Sequence, residues 1–190
     1  MSDLVLPQPW HQFVVDVDRS LSDAVELHCV GGFVLTAVHG VPRTTADLDY
    51  ISAIPRQCVE ELDRIAGRDS ALAKKHKVFL QAVGGVGDWP EDYESRLTTL
   101  PLGLKKLTLR ILDPYDLILS KLTRNSPKDM EDVKALTQKL ELKFDVLRNR
   151  FLTEMSWVPN RVRHEQTLEV FGRITFPGKA LRRTGIQSTI

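Results

Sequence analysis

Two aspartates stand one residue apart in the segment "ADLDYIS", and this spacing constrains the fold more than any other feature of the sequence. The segment alternates, with Leu48 and Tyr50 on one side and Asp47 and Asp49 on the other, which is the period of a β-strand with one buried face. Both carboxylates then leave the same face of the strand, about 7 Å apart along the chain. Two negative charges this close repel each other and are costly to desolvate unless a positive charge lies between them.

A divalent cation is the simplest positive charge for this face of the strand. Carboxylate oxygens are hard ligands that suit Mg²⁺, which keeps several water molecules and also binds the phosphates of a substrate. The sequence therefore predicts a Mg²⁺ (or Mn²⁺) site at Asp47 and Asp49. Because aspartate often opens a turn, a turn role remains the competing interpretation of Asp47.

A glycine pair precedes the aspartates, at the end of the apolar segment "ELHCVGG". Glycine lets the backbone approach a ligand closely, and a helix that follows offers free N–H groups to a phosphate. We therefore expect Gly31 and Gly32 to hold a phosphate group, with further donors from Arg43 and from either Thr36 or the hydroxyls of Thr44 and Thr45. A simple turn at the end of a strand is the competing interpretation of the two glycines.

The composition is that of an ordinary globular chain and excludes several classes of function. The 190 residues carry a net charge of +1, with 42% hydrophobic and 27% charged residues, so no strong overall field attracts nucleic acid or a membrane. No apolar run approaches the roughly 18 residues that span a bilayer. The N-terminus does not resemble a signal peptide, and Cys29 and Cys58 match no metal spacing, so we expect a cytoplasmic protein with reduced thiols.

Helical and strand patterns alternate in the first part of the chain and give way to helices in the last part. The predicted helices of the first part cover 9–25, 33–40 and 55–67, and the predicted strands cover 26–32, 46–52, 77–85 and 105–112. The segment 90–100 is predicted as a short helix or a turn. Four more helices follow from Asp113, where an N-cap residue precedes a proline, a signal that Ser126 and Pro127 repeat.

This order predicts an α/β (α+β) fold, with a small mixed sheet flanked by helices and a helical C-terminal part. Residues 1–112 would form the α/β core, and residues 113–176 would form a helical cap that completes the same domain. Residues 177–190 would form a flexible tail.

Two blocks of the sequence carry a resemblance to a known superfamily. The first is "VGG" followed by "PRTTADLD", and the second is "DPYDLILSKLTRNSPKDMEDVKAL". Together they resemble the polymerase-beta-like nucleotidyltransferases, and within that superfamily the chain looks most similar to AbiEii-type abortive-infection toxins and to short bacterial nucleotidyltransferase-like proteins. The resemblance covers roughly Leu27 to Leu136 and implies a nucleotidyltransferase-type sheet.

The resemblance also implies roles for individual residues. Gly31 and Gly32 would hold nucleotide phosphates, and Asp47 and Asp49 would bind Mg²⁺. Lys121 would contact the triphosphate or the transition state, unless it is an ordinary solvated helix residue.

A further acid is expected from the second block. Many superfamily members carry a third carboxylate on a later strand, whereas "KVFLQAVGG" and "KKLTLRIL" contain none. Either Asp129 or Asp132 completes the site, or the metal site is incomplete. Both aspartates also lie near a helix N-terminus, where acids are favoured by the helix dipole alone.

The function expected from these features is transfer of a nucleoside monophosphate from an NTP to an RNA (tRNA-like) or protein acceptor. The resemblance extends this to a toxin–antitoxin role with a cognate partner protein and no membrane association. One alternative is a catalytically inactive nucleotide-binding or antitoxin-like interaction module, which the missing strand carboxylate favours. Another is a metal-dependent phosphohydrolase or nuclease, against which the glycine pair argues because hydrolases need no NTP cradle.

Overall fold

A five-stranded mixed sheet forms the centre of the computed structural model, which describes residues 5–84 and 88–176. Its strands are β1 (Val25–Val30), β2 (Asp47–Ile54), β3 (Phe79–Ala82), β4 (Thr98–Thr99) and β5 (Leu107–Ile111). They lie in the order β3-β2-β1-β5-β4. β1 is antiparallel to β2 and parallel to β5, β3 is parallel to β2, and β4 is antiparallel to β5. The mixed sheet predicted from the sequence is confirmed.

Helices flank this sheet and make up the C-terminal part of the chain, as predicted. They are α1 (Trp10–Ser20), α2 (Gly31–Phe33), α3 (Val59–Ala66), α4 (Ala71–His76), α5 (Pro114–Arg124), α6 (Pro127–Leu140), α7 (Phe144–Glu154) and α8 (Arg161–Thr175). Helix α2 continues directly into a π-helical segment, Val34–Val38. Among the described residues, no helix has the length and apolar character needed to cross a bilayer.

The alternation of β2 decides which of its side chains reach the core. Leu48 and Tyr50 are buried, whereas Asp47 and Asp49 lie half-buried on the other face, as the period-two pattern predicts. β2 pairs with β1, the central strand of the sheet, which is buried along nearly its whole length. Both aspartates therefore stand near the middle of the sheet, beside the end of β1.

Helix α5 is a core helix. The side chain of Asp113 caps it by accepting a hydrogen bond from the backbone N–H of Tyr115, and Pro114 occupies the first turn. Seven consecutive side chains, from Asp116 to Leu122, are buried, so the helix is covered on all sides. Lys121 is among them, and its interpretation as a solvated helix residue is therefore wrong.

Several elements of the first part differ from the prediction, and Gly31 and Gly32, predicted as the end of the strand 26–32, are the first residues of α2. Helix α1 ends at Ser20 instead of residue 25, because Val25 already belongs to β1 and its N–H binds the carbonyl of Lys106. Helix α4 was not predicted, because its six residues are too few for an apolar period to show, although Ser70 caps it.

The segment 90–100 contains both a 3-10 turn, Tyr93–Arg96, and the two-residue strand β4. The turn agrees with the prediction, but the strand does not, since two residues cannot display an alternating pattern. The predicted flexible tail, 177–190, lies outside the described residues.

Candidate functional site

The aspartates of β2 lie against the first residue of α2. Gly31 has φ of +72°, a left-handed conformation that favours glycine. A Cβ built on Gly31 would overlap with Oδ2 of Asp49 and would lie 3.0 Å from its Cγ. The glycine is therefore required for two reasons, its backbone conformation and the close approach of the Asp49 carboxylate.

Gly32 is in contact with the loop that leads into β2. A Cβ at Gly32 would lie 2.5 Å from Oγ1 of Thr45 and 3.2 Å from Nη2 of Arg43. The Thr45 hydroxyl in turn donates a hydrogen bond to Asp47. The glycine pair thus packs against Thr45, Arg43 and Asp49, and brings all three to the start of α2.

The predicted hydroxyl donors are placed differently from one another. Thr45 is half-buried beside Asp47, as described above, whereas Thr44 is exposed and forms no side-chain hydrogen bond within the described part of the chain. The hydroxyl of Thr36, in the π-helical segment, donates to the carbonyl of Gly32 at 3.0 Å. Of these hydroxyls, Thr45 is the one that the structure brings to the aspartate pair.

Asp49 is held in an unfavourable electrostatic setting. Its Oδ1 is buried and has no hydrogen-bond partner among the described residues. Burial, followed by the charge of Asp47, raises the pKa of Asp49 to about 6, against the opposing charges of Arg124, Lys121 and Arg43. A buried carboxylate oxygen without a partner is costly for a fold that gives it no ligand.

The second sequence block meets the first through a buried ion cluster. Nζ of Lys121 lies 3.1 Å from Oδ1 of Asp129 and 2.8 Å from Oδ2 of Asp132. Oδ2 of Asp132 also accepts a hydrogen bond from Nη1 of Arg43, in the loop before β2. Asp132 therefore joins helix α6 to helix α5 and to the loop beside the glycine pair.

Asp129 has several donors around its carboxylate. Arg124 binds it through Nε, at 3.0 Å from Oδ2, and through Nη2, and the Ser126 hydroxyl donates to Oδ2 at 2.7 Å. Burial on its own would raise the pKa of Asp129, but the hydrogen bonds from Arg124 and Ser126 and the charge of Lys121 outweigh it and hold the pKa below its ordinary value. Asp129 is thus a stable anion bound by two cations.

A small cleft lies between the two blocks. It is lined by Val30, Gly31, Asp49, Val83, Trp89, Leu117, Ser120, Lys121 and Arg124. Its volume of about 30 Å³ fits an ion with one or two water molecules. A nucleotide would have to extend from this cleft toward the surface.

The aspartate pair fits a hard divalent cation. Asp47 and Asp49 supply carboxylate oxygens from one strand face, and the buried Oδ1 of Asp49 is free of other partners among the described residues. Within residues 5–84 and 88–176, no group of three or more His, Cys, Asp or Glu side chains is placed to hold a metal ion. Two protein carboxylates suit Mg²⁺, which takes its remaining ligands from water and substrate phosphates.

The two candidates for the third active-site acid, Asp129 and Asp132, are both paired with cations. Asp129 and Asp132 both face the cluster, as their spacing of three residues in α6 predicts, but they bind Lys121, Arg124 and Arg43. Their role as a further active-site acid stays a prediction.

Sequence reasoning missed Arg124 and Trp89 as residues of the cleft. Arg124 follows Lys121 by three positions in α5, so helical spacing puts both on one side, and this signal could have found it. Trp89 lies in a segment without a periodic pattern, and the sequence offers no signal for its position.

The chain belongs to a family described as "Nucleotidyltransferase of unknown function (DUF6036)", whose family model matches residues 13–174. The match spans the sheet, both sequence blocks that carry the resemblance, and the helices up to α8. It confirms the nucleotidyltransferase-like resemblance, whereas the closer likeness to AbiEii-type toxins stays a prediction. No curated protein and no solved structure matches the chain.

Proposed function

We propose that this chain is a divalent-cation-dependent nucleotidyltransferase, which transfers a nucleoside monophosphate from an NTP to a hydroxyl group of an acceptor. The observation that carries the proposal is the pair of Asp47 and Asp49, because a buried oxygen of Asp49 has no hydrogen-bond partner among the described residues. Membership of a nucleotidyltransferase family supports the same class of reaction.

The proposed division of roles follows the geometry of the cleft. Asp47 and Asp49 would hold Mg²⁺ or Mn²⁺, and Gly31 and Gly32 would let the phosphates approach the backbone at the start of α2. When bound, the cation would neutralise phosphate charge and orient the reacting phosphate. Thr45 would keep the Asp47 carboxylate in place through its hydrogen bond.

The reaction would proceed by displacement at the α-phosphorus. The acceptor hydroxyl oxygen forms a bond to that phosphorus, the bond to the bridging oxygen breaks, and pyrophosphate leaves with the bonding electrons. The hydroxyl proton passes to a carboxylate of the site or to water. The cations beside the cleft would stabilise the negative charge that accumulates on the pyrophosphate, and Asp129 and Asp132 would hold those cations in position.

We propose an RNA of tRNA-like shape, or a protein hydroxyl, as the acceptor, with a toxin-like role controlled by a cognate partner protein. The motivation is the sequence resemblance to AbiEii-type toxins. Expression in a bacterial host tests this point. The wild-type chain should arrest growth, whereas the Asp47→Asn and Asp49→Asn variants should not, and equal growth of all three strains would contradict a toxic role.

The central experiment follows the label of an α-phosphate-labelled NTP. Each of the four NTPs is incubated with the protein, Mg²⁺ or Mn²⁺, and an extract of total RNA and protein. We expect label on RNA or on protein, reduced by a factor on the order of 10² to 10³ in Asp47→Asn and in Asp49→Asn. Asp69→Asn, an exposed aspartate between α3 and α4, is the matched control and should behave as wild type.

A nucleotide-binding module without turnover is the second candidate function. It is favoured by the small number of acids, since no group of three or more His, Cys, Asp or Glu side chains among the described residues is placed to hold a metal ion. Binding of NTP without transfer of label, in the presence of every acceptor fraction, would support this candidate and contradict the first. Release of label as free nucleotide or phosphate would instead indicate a phosphohydrolase.

A further inference from the structure

Lys121 and Arg124 line the cleft and Arg43 lies beside Gly32, and these three cations differ in how far they reach solvent. The exposed fraction of the side chain is 4% for Lys121, 16% for Arg43 and 48% for Arg124. All three have an aspartate partner in α6. Exposure therefore separates them into one buried counterion, Lys121, one partly buried counterion, Arg43, and one cation that an incoming ligand can touch, Arg124.

Lys121 is the least suited of the three to bind a ligand from solution. Its ammonium group already donates to Asp129 and Asp132, at 3.1 and 2.8 Å, inside a helix that is covered on all sides. If Lys121 turned toward a phosphate, it would leave two buried carboxylates with less positive charge beside them. Lys121 thus acts as the internal counterion of the α6 aspartates.

Arg124 keeps part of its guanidinium free while it is anchored. Nε and Nη2 bind the Asp129 carboxylate, whereas Nη1 donates no hydrogen bond to any other described residue. A guanidinium carries five N–H donors in a planar fork, so one edge can bind Asp129 while another faces outward. Arg124 lines the cleft together with Gly31 and Asp49, and its charge acts on Asp49.

We propose that Arg124 is the side chain that binds the phosphate tail of the nucleoside triphosphate, through the guanidinium edge that Asp129 leaves free. This inference rests on the proposed function of the site. It moves the phosphate contact from Lys121, where the family resemblance puts it, to a neighbouring residue one helical turn further along α5. Arginine suits this task because its paired N–H groups match the geometry of phosphate oxygens.

Calorimetric titration with two ligands tests the proposal. The ligands are the NTP that the wild-type protein binds most tightly, with Mg²⁺, and inorganic tripolyphosphate, which has no base or sugar. Arg124→Gln should weaken the binding of both by a similar factor of about 10 to 100, the loss expected for a hydrogen bond to a charged group. Arg124→Lys, which keeps the charge and can still pair with Asp129, should show a smaller loss for both.

The control is Arg148→Gln. Arg148 is also a half-exposed arginine paired with a carboxylate, since its Nε lies 2.8 Å from Oε1 of Glu169, but it lies on α7 outside the cleft. Arg148→Gln should leave the affinity for both ligands unchanged. Binding of Mn²⁺ alone should not weaken in Arg124→Gln, because the aspartate pair remains.

The outcomes separate this inference from the proposed function. Unchanged affinity of Arg124→Gln for NTP, or a loss for NTP with none for tripolyphosphate, would overturn the role of Arg124 and leave the proposed function standing. A wild-type protein that binds no NTP would overturn both. Equal losses in Arg148→Gln and Arg124→Gln would show a general effect of charge and would also overturn the assignment.

Discussion

Replacement of Asp49 by asparagine should stabilise the protein when no metal is bound. The Asp49 carboxylate is half-buried, stands on the same strand face as Asp47, and has an oxygen without a hydrogen-bond partner among the described residues. Asparagine has nearly the same shape and no charge. The variant therefore removes the cost of the ionised carboxylate with little change in packing.

The magnitude follows from the pKa of Asp49. Burial and the charge of Asp47 raise it from 3.8 to about 6, so the folded chain holds this proton more tightly than the unfolded chain does. The stability that protonated Asp49 provides is present below about pH 4 and is lost as the pH rises through about 6. The full effect corresponds to about 3 kcal/mol, and screening by solvent at this partly exposed group reduces it to about 1–2 kcal/mol.

Urea unfolding between pH 4.5 and 8, in the presence of a chelator, measures this effect. The quantity to follow is the free energy of unfolding of Asp49→Asn minus that of wild type, since other titrating groups cancel in the difference. It should grow toward higher pH and level off at about 1–2 kcal/mol near pH 7. Asp69→Asn should give a flat difference. A difference for Asp49→Asn that is flat, or that falls toward high pH, would refute the reasoning.

Two further predictions concern the scaffold of the site. Gly31→Ala should lower the free energy of unfolding by about 2 kcal/mol or more, whereas Gly103→Ala should lower it by less. Both glycines have a positive φ, but only a Cβ at Gly31 would overlap with Asp49. Equal losses of the two variants in urea unfolding would contradict this contact. Asp116→Ala should cost about 3–5 kcal/mol, because this fully buried carboxylate pairs with two arginines. Glu169→Ala, which breaks a more exposed ion pair, should cost under about 1 kcal/mol, and a similar loss in both variants would refute the role of burial.

The sequence predicts the parts of the fold that have a long or regular pattern. The alternation of β2 fixed which face carries Asp47 and Asp49, and the pairs Asp113–Pro114 and Ser126–Pro127 marked the starts of α5 and α6. Both signals are local, because they depend on the backbone period or on the first turn of a helix. Helix α4 and strand β4 were missed because six and two residues are too few to show a period.

The pairing of side chains across the site was beyond what the sequence could predict. Nothing in the order of residues shows that Arg43 reaches Asp132, which lies 89 positions further along the chain, because that contact depends on how α6 packs beside the loop. The same limit applies to Gly32. No local pattern indicates that the space beside its Cα is taken by Thr45 and Arg43.

The distribution of charge around the cleft connects these observations. Two aspartates of α6 are paired with three cations, while the two aspartates of β2 form no ion pair with any residue of 5–84 and 88–176. A fold selected for stability alone would gain from pairing or replacing Asp49, since a carboxylate oxygen buried without a partner lowers stability. The cations stay with the α6 aspartates instead, so the β2 pair keeps its negative charge available, and a ligand that brings positive charge to this face is the simplest compensation. The stability gain of metal-free Asp49→Asn and its loss of nucleotidyl transfer both follow from this distribution of charge. The same variant should therefore show both effects.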